Sequence, residues 1–412
     1  MSLSINTFLS KLDFSKLSTS QINAISSTDV AVITTTQIKA ITTSAISSLK
    51  SSVVAQLNSE QLMAIITSQI QYLSSVQIGS LDSSQISYLS AAQLIALTTD
   101  QAGVLTSSQV QGINATKLAS METSDFTKLS TDVIAGLTTA QVGGLTTSQV
   151  ASLISTQVSS LNTAQLVALT SSQAGALTSS QLAVITTAGL FAMETQDVGN
   201  LSSSALVGLT TAQAEVLSVG SVVAFGSAKL SGLSSTNVAS LSTAVIAGLT
   251  TGQVASLTST TVRSLSSAQL VALTSSQAGV LTSAQLAVIS TDNLFAMETS
   301  DVGNLSSAAL AGLTTAQAEV LVSTAVVALG SAKLAVLSSA NISKLSTDVI
   351  AGLTTAQVAG LTTSQVRGLT TSQVSSLNTV QASALTSEQL TAFSTMVPDD
   401  TFDILFDKLM GN

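Results

Sequence analysis

The 412-residue chain has no cysteine, no histidine, no tryptophan and a single proline. Without cysteine there are no disulfides, no iron–sulfur clusters and no cysteine-ligated zinc. Without histidine a nucleophilic serine lacks its usual base, and no paired lysine or local catalytic signature replaces it. Aromatics make up 3% and charged residues 8%, where ordinary domains carry roughly 25% charged residues. Twelve Lys plus Arg against 21 Asp plus Glu give a net charge of −9. Nothing resembles the basic stripe that nucleic acid requires. No run of about 18 apolar residues is present, so no helical membrane span is expected. Gly loops that cradle phosphates, EF-hand loops and Gly-Asp calcium nonapeptides are also missing. The opening stretch, Met1–Leu12, lacks the basic-then-apolar pattern of a cleaved secretory signal. We therefore expect no enzyme and no cofactor.

What is present is Ser, Thr, Ala, Leu, Val and Gln in an eight-residue repeat. Leucine or a substitute recurs from Leu9 to Phe393 at 49 positions without insertion or deletion, all of them Leu, Ile, Met or Phe. The octads at Leu137 (LTTAQVGG), Leu145 (LTTSQVAS) and Leu161 (LNTAQLVA) show the pattern. Position six is also apolar, as at Ile22, Val150, Leu166 and Ile350. Position two is Ser or Thr, or Asn, Asp or Gly, the residues that favour a helix N-cap. Position five is mostly Gln, completing the Ser/Thr-x-x-Gln capping box. The flanking Leu and Val form a hydrophobic staple. Position eight is usually Gly, Ala, Ser or Val, so a tight exit is sterically possible. At Lys50, Ile66, Glu122, Ile154, Glu194, Glu298 and Val322 position two breaks the rule, and the Ser or Thr that follows is expected to take over the cap.

These features predict an all-α solenoid with one short helix of five to six residues per octad. Such helices are unstable alone, because nucleation is costly, and survive only by packing on neighbouring repeats. With about three octads per superhelical turn and turns roughly 10 Å apart, the rod would be about 160 Å long. A coiled coil wants apolar spacings of three and four, and eight residues overshoot two helical turns by about 80°. A β-solenoid is the alternative, since Thr and Val favour strands. Against it, positions one and six would face opposite sides of a strand. Above the octad lies a longer repeat. Leu161–Leu217 returns at Leu265–Leu321, offset by 104 residues. Duplication accounts for it, and the functional alternative is a surface feature repeated for equivalent neighbours.

We divide the chain into an N-terminal cap (1–16), the octad solenoid (17–396) and a C-terminal amphipathic segment (397–412). The frame stops at Pro398, after which Phe402, Leu405, Phe406 and Leu409 follow helical spacing. At the other end stand Phe8 and Phe14 with Lys11 and Lys16. These six apolar residues, Phe402, Leu405, Phe406, Leu409, Phe8 and Phe14, are candidate assembly contacts. The simpler expectation is that they shield the end repeats; an export signal and a docking helix are the alternatives. The recurring MET-x-D octads place Glu122 and Asp125, Glu194 and Asp197, and Glu298 and Asp301 three apart. Such pairs are weak candidates for a metal such as Ca²⁺. Their simpler role is favourable charge at a helix N-terminus. Gln rows are explained by capping, with lateral hydrogen bonding between rods as a functional gloss. The Thr pairs are adjacent rather than alternating, which argues against an ice-binding face.

The LTTAQV, LTTSQV and LSTDVIAGLTTAQV octads resemble the Leu/Thr/Gln-rich repeats of large bacterial cell-surface proteins, of S-layer-like and adhesin-like type. The resemblance implies an extracellular or cell-surface location, often with export directed by the C-terminus. Together with a surface carrying little charge, it points to a self-assembling subunit of a filament or surface layer. In that case the partner is a second copy of the chain. An adhesin stalk or binding scaffold, with a cell-surface glycan as partner, is the alternative.

Overall fold

The computed structural model describes residues 8–396 and 399–410. The chain forms two compact units, Met1–Leu209 and Thr210–Asn412. The division falls inside the unbroken octad frame. Each unit is an all-α solenoid of short helices, and no strand occurs among the described residues. The β alternative is therefore excluded for them.

The octad at Leu145 shows how sequence becomes helix. Thr146 is extended (φ −72°, ψ 154°) and begins the helix Thr147–Ser152. The Gln149 amide N–H donates to Thr146 Oγ1 at 3.1 Å, and the Thr146 amide N–H donates to Gln149 Oε1 at 3.0 Å. Two amides that the helix cannot pair are thus satisfied at once. The helix ends when Leu153 turns extended (φ −58°, ψ 133°) and donates its N–H back to Val150 O. That leucine is already position one of the next octad. No left-handed C-cap is used, and the only positive φ values among the described residues are at Gly226 and Gly330. Both glycines occupy position two, each inside a pair of helices that run together, Val219–Gly232 and Ser323–Leu334.

The expectation that caps shift at irregular octads is corrected. Lys50, Ile66, Glu122, Ile154, Glu194, Glu298 and Val322 all remain N-caps, with no capping hydrogen bond between their own side chains and the helix amides. At Ile66 and Ile154 the cap N–H still donates to Gln69 and Gln157 Oε1. Burial of positions one and six fixes the frame, and one lost cap bond of about 1 kcal/mol does not move it.

Helices pack on the third helix along the chain. Thr147–Ser152 meets Ser171–Gly175 in the first unit, and Ser339–Lys344 meets Thr363–Arg367 in the second. Positions one and six turn inward, and the interior around Leu145 is lined by Ile, Leu and Val alone from Ile134 to Leu177. Positions two, three, four and seven face solvent, as at Thr146, Thr147, Ser148 and Ala151. Where position eight is glycine it can abut the previous turn. A Cβ on Gly208 would lie 2.0 Å from Ser179 O, and one on Gly312 2.2 Å from Ser283 O.

Candidate functional site

Position five carries the polar chemistry of the interior. Gln149 is buried, and its Nε2 donates to Leu118 O at 3.1 Å and Met121 O at 2.9 Å. These acceptors lie 31 and 28 residues earlier, where one helix ends and the next octad begins. The same pair of separations recurs at Gln61, Gln101, Gln141, Gln181, Gln285 and Gln373. Each Gln thus caps its own helix with its oxygen and ties down an earlier helix end with its nitrogen. The amide gives Leu118 O a second donor beside the Met121 N–H, and it gives Met121 O a donor of its own. Cross-turn bonds span 25 to 31 residues, so one turn takes between three and four octads.

This corrects the lateral role considered for glutamine. Both ends of the amide are engaged inside the chain, so the outer surface is left to Ser, Thr and Ala. The cap half of the role was legible from the Ser/Thr-x-x-Gln spacing. The cross-turn half was not, because it joins residues three to four octads apart.

Where Gln is absent, other donors take its place. Lys117 Nζ reaches Ser87 O at 2.8 Å, Lys333 Nζ reaches Gly303 O at 2.7 Å, and Asn341 Nδ2 reaches Leu313 O at 3.0 Å. In the last helix, Asp399–Met410, Lys408 Nζ donates to Leu377 O, at the separation of 31 that glutamines use.

The acidic octads differ in kind. Asp125, Asp197 and Asp301 occupy position five and are buried, whereas Glu122, Glu194 and Glu298 sit at position two and are exposed. The structure therefore does not bring the two carboxylates of each pair onto one face. Among the described residues no group of three or more His, Cys, Asp or Glu could hold a metal ion. Asp197 Oδ1 accepts from Ser171 Oγ at 2.6 Å, and Asp301 Oδ1 accepts from Ser275 Oγ at 2.7 Å. Asp125 has no such donor. Its Oδ2 is buried without a hydrogen-bond partner. Burial, and then the nearby charge of Glu122, push its carboxyl up to about 6.

The candidate assembly residues are split. Phe14 is fully buried in the short helical turn Phe14–Lys16, and Leu405 is fully buried where Asp399–Met410 packs on Thr371–Ser376 and Thr379–Ser383. Phe8 (60% exposed) and Phe406 (51%) face outward. The side chains of Phe402 and Leu409, and Pro398, lie outside the described residues. Sequence reasoning missed another pair. Phe191 and Phe295 stand at position seven, 104 residues apart, and are 69% and 64% exposed. The signal was available in their register, since position seven faces solvent. Phe295 borders a shallow groove with Glu319, Val322, Ser346 and Asp348.

This geometry defines a class: a repeat protein whose all-α solenoid is built from octads with a buried polar row at position five. The ALTTAQ repeat family matches residues 118–156, 190–227, 222–259, 294–331 and 326–363, somewhat under half of the chain. The matches at 190–227 and 294–331 are 104 residues apart, as are those at 222–259 and 326–363, so they follow the longer repeat. No curated protein matches the chain. No described helix is long and apolar enough to cross a membrane.

Proposed function

We propose that this chain is a non-enzymatic structural protein, a self-assembling subunit of an extracellular bacterial filament or surface layer. The observation that carries the reading is the sorting of polar side chains. Glutamine turns inward in octad after octad, and small neutral groups such as Thr146, Thr147 and Ser148 are left outside. With few charges, such a surface offers little repulsion between copies. Its eight-residue period lets one contact be made many times. Phe191 and Phe295 add two equivalent exposed aromatics, and Phe8 and Phe406 place one near each end of the chain.

Negative-stain electron microscopy of the purified chain tests the reading. Ordered filaments or sheets are expected, and fewer of them from a variant carrying Phe191→Ser and Phe295→Ser. Deletion of residues 398–412 should abolish assembly if the C-terminal helix docks the next subunit. Protease treatment of intact cells tests the location, with cleavage expected. A second reading, an adhesin stalk or binding scaffold, draws on the groove beside Phe295, where an aromatic ring, Ser346 and two carboxylates could receive a glycan. Dispersed single particles and glycan binding lost with Phe295→Ser would favour it.

A further inference from the structure

We propose that the groove beside Phe295 holds an arginine side chain of a second copy of this chain, a contact that rests on the assembly reading and names its chemistry. Three helices of the second unit build the groove. Phe295 lies near the end of Thr291–Ala296, which packs on Thr315–Glu319, and Asp348 stands in the first turn of Thr347–Ala351. Val320, Val322 and Ser346 line it as well, and its volume of about 420 Å³ has room for a long side chain. The Phe295 ring is 64% exposed. Glu319 and Asp348 are exposed too, and among the described residues neither carboxylate forms an ion pair or a hydrogen bond.

A flat ring with carboxylates beside it suits a guanidinium. The ring face attracts a cation, and does so more often with arginine than with lysine. A planar guanidinium stacks on the ring while its N–H fork donates to a carboxylate. A neutral occupant would leave both charges unanswered. The chain holds two arginines, Arg263 and Arg367. Both are exposed, in the last turns of Ser259–Ser264 and Thr363–Arg367, and neither has an ion pair or a hydrogen bond among the described residues. They share position seven with Phe295 and Glu319, the register that faces solvent. They are also 104 residues apart, as are Phe191 and Phe295, and Glu215 and Glu319. Both halves of the contact therefore recur together in the longer repeat. At Asp348 the repeat breaks, because the corresponding residue is Ala244. The later copy thus carries a carboxylate that the earlier one lacks, which places the arginine at Phe295.

Sedimentation velocity of the full chain at low salt measures self-association, and thermal unfolding checks that variants fold. One variant reverses the groove, with Glu319→Lys and Asp348→Lys. Another reverses the occupant, with Arg263→Glu and Arg367→Glu. Each should weaken self-association about tenfold or more, the scale of losing a cation–π contact and setting like charges against each other. All four residues face solvent, so both variants should unfold at the wild-type temperature. Mixed in equal amounts, the two should associate as wild type does, because each reversed side then meets its opposite charge. Phe295→Leu keeps an apolar side chain without the ring face, and should weaken association less than either. Wild-type association by either charge variant alone, or a mixture that fails to recover, would overturn the contact and leave the assembly reading standing. A wild-type chain that stays monomeric would overturn both.

Discussion

Residues 137–184 and 113–136 lie side by side in the same unit and solve the same problem differently. In the first stretch every octad has Gln at position five, from Gln141 to Gln181, and every Gln reaches two earlier carbonyls. In the second the same place holds Lys117, Asp125 and Val133. The helices form all the same, at Ala115–Leu118, Thr123–Phe126 and Thr131–Ala135. Glutamine is therefore not what makes an octad helical. Leu118, Phe126 and Ile134 are buried as fully as Val150 or Leu166, so apolar packing holds the frame in both stretches. What differs is the hydrogen bonding between turns. Lys117 makes one such bond, Asp125 leaves an oxygen without a partner, and Val133 carries no polar group.

The largest effect should come from making the regular stretch resemble the irregular one. Gln149→Leu strips Met121 O and the Thr146 N–H of their partner and removes one of the two donors to Leu118 O. Each buried group left unpaired costs about 1–3 kcal/mol. We expect local opening near residues 118–121 and 146–150 to become easier by about 3 kcal/mol or more, read by native-state hydrogen exchange.

Next in size is the change in the opposite sense. The Asp125 carboxyl is raised, so folding favours its protonated form. Its contribution is fully present below about pH 4, the carboxyl's ordinary range in an unfolded chain. It is lost as pH rises through about 6. Asp125→Gln should remove this dependence and stabilise the neighbourhood at pH 7.5, by up to about 3 kcal/mol on that shift. Urea unfolding of wild type and Asp125→Gln at pH 4 and pH 7.5 measures it; a wild type whose stability relative to Asp125→Gln rises with pH would contradict the sign.

The smallest effects concern caps. Thr146→Ala should cost about 1 kcal/mol, and Ile154→Thr, which supplies the hydroxyl its helix lacks, should gain somewhat less. Thermal unfolding of the two variants should move in opposite directions. A loss from Ile154→Thr would mean that the exposed isoleucine packs on something beyond this chain.

Much of the fold was legible because its determinants are local. Ser or Thr three residues before Gln starts a helix wherever it occurs, and the alternation of five and three between Leu and Val fixes which face is buried. The acidic octads show the limit. Glu122 and Asp125 read as a pair from their spacing, yet one faces water and the other the interior. The helix is too short and too firmly registered by Met121 and Phe126 for both to point the same way. The exposure of Phe191 and Phe295 follows from register, but an aromatic ring in an apolar chain reads first as core.

By itself the sequence determined the all-α class, the octad as the folding unit, the capping box and the inward Leu and Val, since each depends on contacts within about eight residues. Tertiary structure decided what those units meet: the third helix along, the carbonyls 28 and 31 residues back, and the missing partner of Asp125. Glutamine has two ends, and a linear pattern reveals only the one that bonds nearby. The other finds its acceptors only after the chain has coiled back on itself.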